Sequence, residues 1–318
     1  MDRSRRRSGL LILFLAAAFT APSAAPPLRA LRWLAPGADG ARLLTSRPVE
    51  CLPPPRSAEE AYFIEVGRAA FRTPMTLGGQ AARAGVDCET CHRNGRRNTD
   101  FHFPGISGDP GTADVTSFIF SSHRGKPGFK PVAIPDLGGP KTALKVNQSP
   151  KSADLEHFIH GLVTEEFEGA EPSPSVLKGL AAYVRALSPN ACPVGRIETV
   201  TLAGDLSDAR RAVHAGIQAL ARKDTATAVA MAAAARSVLG AIAERYGAPG
   251  LEADVGALRA ADLDLAAVID DVRANRTEAQ VGLETWLAKS ADLERRLRRD
   301  EARSYYDRTA LAHAIAAI

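Results

Sequence analysis

The sequence predicts an all-α protein in two parts: a compact helical part with long loops, then an alanine-rich helical bundle or coiled coil. Three observations support this. Apolar residues recur at helical spacing around residues 57–71, 154–163 and 176–187. Glycine and proline crowd residues 101–140 and predict little regular structure there. Beyond about residue 205, long alanine-rich segments alternate with short breaks.

The first 25 residues predict a secretory signal peptide. Four arginines precede the apolar run GLLILFLAAAFT, and small residues and prolines follow it. The run is too short to span a bilayer comfortably, so a cleaved signal is preferred over a retained anchor. We expect an exported, periplasmic protein with no membrane span after signal removal. The formal charge of +4 over 318 residues argues against a nucleic-acid partner.

The remaining elements follow in order. Residues 26–56 are rich in proline, arginine and alanine, which predicts an extended lead-in. Ser57 and Glu60 form a capping box for a helix through Phe71. Further amphipathic helices are predicted in ADLEHFIHGLVTEEF and SVLKGLAAYVRAL, before the break SPNACPVG. We expect residues 57–192 to form one domain, and residues 205–318, opening with Ser207 as an N-cap, to fold separately.

Two cysteines with two residues between them and a histidine directly after form the motif Cys88-Glu89-Thr90-Cys91-His92. A structural zinc site needs four ligands, usually in two close pairs, and the other cysteines are single and distant. A redox dithiol would follow an apolar strand, and none precedes Cys88. Covalent haem fits best, because the two thiols would add to its vinyl groups and His92 would be the proximal ligand. The motif predicts one haem c per chain.

The other two cysteines, Cys51 and Cys192, bracket this region. In an oxidising compartment we expect a disulfide between them, because the ends of a domain often lie close together. Two free thiols are the alternative.

The glycine- and proline-rich stretch has little structure of its own, so we expect it to wrap the haem. Its phenylalanines would then pack against the porphyrin edge, although ordinary loop packing is an equal alternative for each one. They are Phe101, Phe103, Phe118, Phe120 and Phe129.

From Ser57 to Pro189 the sequence resembles the bacterial dihaem cytochrome c peroxidase family and related c-type cytochromes. The matching stretches are GRAAFRTPMTLGGQAARAGVDCETCH, PGTADVT, IPDL and FEGAEPSPSVLKGLAAYVRALSP. The resemblance implies a cytochrome c-like haem domain with long loops. Members with peroxidase activity carry two haem motifs, whereas this chain carries one and has no cysteine after residue 192. The peroxidatic half is therefore expected to be missing or replaced by the helical region.

The distal iron ligand is assigned by the same resemblance. The related dihaem enzymes carry a distal histidine soon after the first haem motif, and His102 is the closest match. His123, Met75 and an open site remain alternatives. A polar loop residue that binds backbone or a haem propionate is the ordinary interpretation of each histidine.

Three functions remain. The first is a single-haem electron carrier with a redox partner protein, in which the arginines at 93, 96 and 97 bind propionates, form a basic rim or are simply solvated. Its C-terminal helices would dock a partner or a second copy. The second is a peroxidase-like oxidoreductase with an open or displaceable distal site, for which Glu165, Glu166 and Glu168 are the available acid–base groups. The third is a haem-based sensor. The sequence assigns no catalytic residue.

Overall fold

The computed structural model describes residues 25–124, 128–192 and 195–318. The predicted signal peptide lies outside these ranges except for its last residue. The described chain is mostly helical, which confirms the all-α prediction. Its α-helices are α1 (Gly40–Thr45), α2 (Ala58–Phe71), α3 (Pro74–Leu77), α4 (Gly79–Ala84), α5 (Cys88–Cys91), α6 (Asp154–Gly161), α7 (Pro174–Ala186), α8 (Leu202–Ala221), α9 (Thr225–Arg245), α10 (Glu252–Arg273), α11 (Glu278–Leu297) and α12 (Arg308–Ala316).

Shorter elements connect these helices. A π-helical turn, Leu162–Glu166, continues α6. The strands are two or three residues long and pair antiparallel, as β1 (Ser46–Pro48) with β6 (Ile197–Thr199), β2 (His92–Arg93) with β3 (Arg96–Arg97), and β4 (Thr112–Ala113) with β5 (Val132–Ala133). The 3₁₀ turns are Arg29–Trp33, Ser122–Arg124, Lys141–Ala143 and Glu301–Arg303.

Helices α2 and α7 cross through a pair of glycines. A Cβ atom on Gly67 would lie 1.9 Å from the carbonyl oxygen of Gly179, so the two backbones touch. Only glycine permits this approach. Beside the crossing, the Phe71 ring packs edge-on against Tyr183 with 5.1 Å between ring centroids. The crossing fixes the end of α2, where the segment leading to the cysteine motif begins.

Only half of the predicted capping box forms at the start of α2. The Ser57 side chain accepts a hydrogen bond from the Glu60 backbone N–H at 3.1 Å, as predicted. The Glu60 carboxylate instead accepts from the backbone N–H of Arg56 and pairs with the Arg56 guanidinium. Ser57 is therefore the N-cap, and Glu60 holds the chain just ahead of it.

The lead-in, residues 26–56, is more ordered than its composition predicts. It contains a 3₁₀ turn, helix α1 and strand β1. Leu28 and Ala41 are buried against Tyr305 and Leu311 of the C-terminal segment. Local sequence does not reveal this order, because the apolar partners lie at the other end of the chain.

Helices α8 to α11 form a closed ring. Each packs on the next, and α11 returns to pack on α8, with connections at 222–224, 246–251 and 274–277. Such short connections make neighbouring helices antiparallel. Helix α8 begins at Leu202, and the Thr201 side chain accepts a hydrogen bond from the Gly204 backbone N–H. Ser207, the predicted N-cap, therefore lies inside the helix.

The two predicted domains pack on each other through apolar residues, although the bundle also has a buried cluster of its own. Ala215 of α8 and Met231 of α9 belong to the same buried cluster as Tyr62, Leu180 and Tyr183 of the α2–α7 pair. Helix α9 packs on α2, α7, α8 and α10. In the described part of the chain, α9 is also the one helix long and apolar enough to cross a membrane by length and composition. Its packing on four neighbours accounts for that composition.

Candidate functional site

The cysteine motif begins on one helical turn. Helix α5 runs from Cys88 to Cys91. Asp87 caps it, since its carboxylate accepts from the Thr90 backbone N–H at 2.8 Å, and Thr90 Oγ1 accepts from the Asp87 backbone N–H at 3.2 Å. This reciprocal capping box holds both cysteines on the same turn, with His92 directly after it.

A tight hairpin follows the motif. Strands β2 and β3 pair His92 with Arg97, and the turn between them is Asn94-Gly95, with φ of 49° and 76°. Asn-Gly is the preferred pair for a two-residue turn with positive φ at both positions. The Glu89 carboxylate accepts from the Asn94 backbone N–H at 2.8 and 2.9 Å, which ties the hairpin back to α5.

The His92 ring is held by a backbone carbonyl. Its Nδ1 lies 3.0 Å from the carbonyl oxygen of Pro135. A protonated Nδ1 donates to this acceptor, which leaves the Nε2 lone pair free to bind a metal. Burial lowers the pKa of His92 to about 4, against the opposing effects of the Pro135 bond and of Asp136. The ring is therefore neutral near pH 7, the state in which imidazole is a ligand.

An ion pair fixes the loop that carries this carbonyl. Arg96 Nη2 lies 2.7 Å from Asp136 Oδ2, next to Pro135. The Gly138 backbone N–H also donates to the Gly95 carbonyl at 2.9 Å. The loop of residues 135–138 is thus anchored to the hairpin at two points, both directly after the Pro135 carbonyl that contacts His92.

The two thiols are free and half-buried. Burial raises the pKa of Cys91 to about 12, and the pKa of Cys88 rises further, with Asp87 adding to both shifts. Both are therefore thiols near pH 7, which makes them poor metal ligands in that state. Cys88 contacts two apolar clusters, one around Phe71 and one around Phe101, and Cys91 contacts the second.

The second of these clusters, here called the thiol-side cluster, lines the motif with apolar side chains. Its buried members are Leu77, Ala81, Val86, Phe101, Ile106, Ala113, Phe120, Ile134, Val163 and Phe167. Of the five phenylalanines predicted to wrap the haem, Phe101 and Phe120 are buried in it and Phe103 packs against it. Phe118 and Phe129 are instead 55% and 56% exposed.

The structure places the three distal-ligand candidates apart. His102 lies between Phe101 and Phe103, and its backbone N–H donates to the Trp33 carbonyl at 2.9 Å. Because side chains alternate along an extended segment, His102 faces away from the side its two neighbours share. His123 Nδ1 lies 3.4 Å from Glu165. Met75, on α3, is 67% exposed.

The arginines after the motif have internal partners. Arg93 donates from Nη2 to the carbonyls of Leu43 and Ser46, at the end of α1. Arg97 is exposed, and its Nη2 donates to the Gly111 carbonyl at 3.3 Å. Together with the Arg96–Asp136 pair, these contacts give all three guanidinium groups a structural role that composition alone does not show.

A buried ion network lies at the end of α2, beside the motif. Arg68 and Arg72 pair with Glu50 of the lead-in at 2.7 Å each, and with Asp208 of α8 at 2.7 and 2.9 Å. These four side chains are only 9% to 14% exposed. Arg72 Nη2 also lies 2.6 Å from Asn94 Oδ1. The hairpin, the lead-in and the helical bundle therefore share one set of buried charges.

Glu89 is a further acidic residue beside this network. Burial raises the pKa of Glu89 to about 7, and the nearby Arg72 guanidinium opposes the shift. Within the described ranges, no group of three or more His, Cys, Asp or Glu side chains is placed to hold a metal ion.

Cys51 and Cys192 form the predicted disulfide, with 5.4 Å between their Cα atoms and 141 residues between them in sequence. The Ser188 backbone N–H donates to the Cys51 carbonyl at 2.9 Å beside it. The bridge thus ties the lead-in to the chain just after α7.

Sequence reasoning missed several residues of this site. Pro135 and Asp136 lie in a loop 43 or more residues from the motif, and only the IPDL resemblance touched them. The Asn94-Gly95 pair was a readable hairpin signal.

Comparison of the chain with protein-family models, curated proteins and solved structures finds no match.

Proposed function

We propose that this chain is an exported c-type cytochrome that carries electrons through one covalently attached haem. The contact between His92 Nδ1 and the Pro135 carbonyl supports the proposal most directly. It prepares Nε2 as an axial ligand, immediately after a helical turn that presents two free thiols. When bound, haem would supply reversible one-electron chemistry at its iron.

The residues present fit such a group. Cys88 and Cys91 would each add a thiol S–H across one vinyl group, which forms two thioether bonds and loses no atoms. Their raised pKa values keep them protonated until they are activated. The thiol-side cluster offers an apolar surface for the porphyrin. A zinc site is disfavoured, since no second pair of ligands lies near the two thiols among residues 25–124, 128–192 and 195–318.

The distal ligand remains a prediction, with His102 first and His123 and Met75 as alternatives. The His102 side chain faces away from Phe101 and Phe103, so coordination by His102 requires this segment to turn when haem binds. That requirement makes the assignment testable by substitution of each candidate.

Mass spectrometry of the protein matured in a host that attaches haem c tests the proposal. We expect the mass of the polypeptide plus one haem, and loss of the covalent haem in the Cys88→Ser/Cys91→Ser variant. The matched control is Cys51→Ser/Cys192→Ser, which removes the other two sulfur atoms and should keep the haem. An apo mass for the unmodified chain would overturn the proposal.

One observation favours a peroxidase-like oxidoreductase as the second candidate. His123 and Glu165 form an imidazole–carboxylate pair at 3.4 Å, and Glu165 lies in the π-helical turn. Such turns are frequent at functional sites, and the pair has the chemistry of a proton relay. Reduction of hydrogen peroxide by a reduced electron donor, lost in His123→Ala and Glu165→Gln, would support this candidate over a simple carrier.

A further inference from the structure

Trp33 belongs to the lead-in, outside the part of the sequence that carries the haem motif, yet it packs on the thiol-side cluster. Its indole ring stacks on Phe103 with 4.4 Å between centroids and 4° between planes. Its carbonyl accepts from the His102 backbone N–H, and the next residue, Leu34, pairs with Phe101. Backbone and ring are thus both fixed against the segment that follows the motif.

The indole N–H of Trp33 is buried and has no hydrogen-bond partner among the described residues. Buried tryptophan donors usually find an acceptor, because a lost hydrogen bond to water is otherwise not replaced. The other tryptophan of the chain follows this rule, since Trp286 Nε1 donates to the Ala261 carbonyl at 3.0 Å. The donor of Trp33 therefore lacks an acceptor in the part of the polypeptide that the structure describes.

The thiol-side cluster, on which Trp33 packs, indicates what kind of acceptor this is. Its side chains are apolar, and it includes both thiols of the motif, Cys88 and Cys91. A haem attached to these thiols carries two propionate carboxylates, which are strong acceptors for an N–H donor. We propose that the Trp33 indole N–H donates to a haem propionate, so that the lead-in forms one wall of the haem site. This inference rests on the function proposed above.

A hydrogen bond from the indole N–H would partly neutralise the negative charge of the propionate. Without the donor, that charge stabilises the ferric iron more strongly, so the reduction potential falls. Trp33→Phe keeps an aromatic ring for stacking on Phe103 and removes the N–H together with the five-membered ring that carries it. We expect it to retain haem and to shift the redox equilibrium about threefold toward the ferric state, which is about 30 mV for one electron.

Nuclear magnetic resonance of the full-length holoprotein, with labelled tryptophan nitrogens, gives a direct readout. The chain has two tryptophans, so two indole N–H signals are expected. The Trp33 signal should be protected from exchange and should move between the ferric and ferrous states, whereas the Trp286 signal should stay in place. Trp33→Phe and Trp286→Phe assign the two signals.

The outcomes separate this inference from the proposed function. A chain that never acquires haem contradicts the function itself. A haem-bearing chain whose Trp33 signal is identical in both redox states, or exchanges freely, overturns the inference alone. A signal that moves while Trp33→Phe keeps the wild-type potential also overturns it, because the acceptor is then an ordered water. If Trp33→Phe does not fold, the unmodified protein still decides the question through its own two signals.

Discussion

Asp208→Asn tests whether the helical bundle and residues 57–192 depend on each other for stability. The substitution keeps the shape of the side chain and removes its charge from contacts of 2.7 Å with Arg68 and 2.9 Å with Arg72. Glu50 would then be the one acid left in contact with both guanidinium groups, with Glu89 3.7 Å from Arg72 alone. Removing one partner from a buried ion pair costs about 3–5 kcal/mol, because the remaining charge stays desolvated.

The pKa of Asp208 gives a second, independent value for how much its charge stabilises the fold. Burial raises this pKa, but the nearby arginines, above all Arg72 and Arg68 with Arg211 and Arg47 adding to them, lower it from 3.8 to about 2. A depressed carboxyl pKa stabilises the fold above the unfolded pKa, and this stabilisation is lost as pH falls through the folded pKa. For Asp208 it is worth about 2 kcal/mol and disappears between about pH 5 and pH 2. The variant should lose this part of the acid dependence.

Urea and thermal unfolding, followed by circular dichroism with the disulfide intact, measure the effect. We expect the midpoint temperature to fall on the order of 10 °C. Asp292→Asn is the matched control, since its pair with Arg295 is fully at the surface, with both side chains more than 70% exposed. It should change stability by about 0.5 kcal/mol or less. Equal losses in the two variants would refute the reasoning, and residues 57–192 would then be independent of the bundle.

Three further predictions concern the site and the bridge. In the haem-bearing protein, His102→Ala should convert low-spin iron to high spin and open it to carbon monoxide. If the optical spectrum of His102→Ala is unchanged and that of His123→Ala or Met75→Ala changes instead, the distal ligand is reassigned to that residue. Arg96→Gln should destabilise the fold by only about 1 kcal/mol or less, yet it should alter the reduction potential by releasing the loop that binds His92. Arg96→Lys should restore the potential. A wild-type potential in Arg96→Gln would contradict a role of the Arg96–Asp136 ion pair in holding His92. Thiol labelling of the denatured, unreduced protein should leave Cys51 and Cys192 unmodified, and their replacement by serine should cost about 5 kcal/mol on the chain-entropy model. Labelled cysteines without prior reduction would exclude the bridge.

Helix positions were predictable from sequence wherever an apolar stripe and a clear break coincide. Helix α9 was expected from Thr225 to Tyr246 and spans Thr225–Arg245. Individual positions on a stripe were less predictable. The apolar spacing of ADLEHFIHGLVTEEF predicts that Phe158 is buried with Leu155, but Phe158 is 48% exposed whereas Leu155 is buried.

The site was predictable where its chemistry lies in adjacent residues and not where distant segments meet. The spacing of Cys88, Cys91 and His92 was readable directly, and the Cys51–Cys192 pair followed by elimination. The apolar contacts between the two parts and the ion network through Asp208 could not be predicted in this way. The sequence of a helix with an apolar face does not show which partner covers that face. The expectation of a separately folding bundle rested on the change in composition, the break SPNACPVG and the apolar spacing within the bundle, and none of these shows which surfaces pack together.

The contact between the two ends of the chain constrains when the lead-in can become ordered. Helix α12 covers the lead-in through Leu311, and Arg308 pairs with Asp39 across 269 residues of sequence. Chains are synthesised from the N-terminus, so the partner that holds the lead-in in place is the last segment to arrive.

Until α12 packs on it, the part of the lead-in around Leu28 and Ala41 lacks its apolar cover. Order in the lead-in therefore depends on a helix whose contact residue Arg308 is 269 positions from Asp39 in sequence.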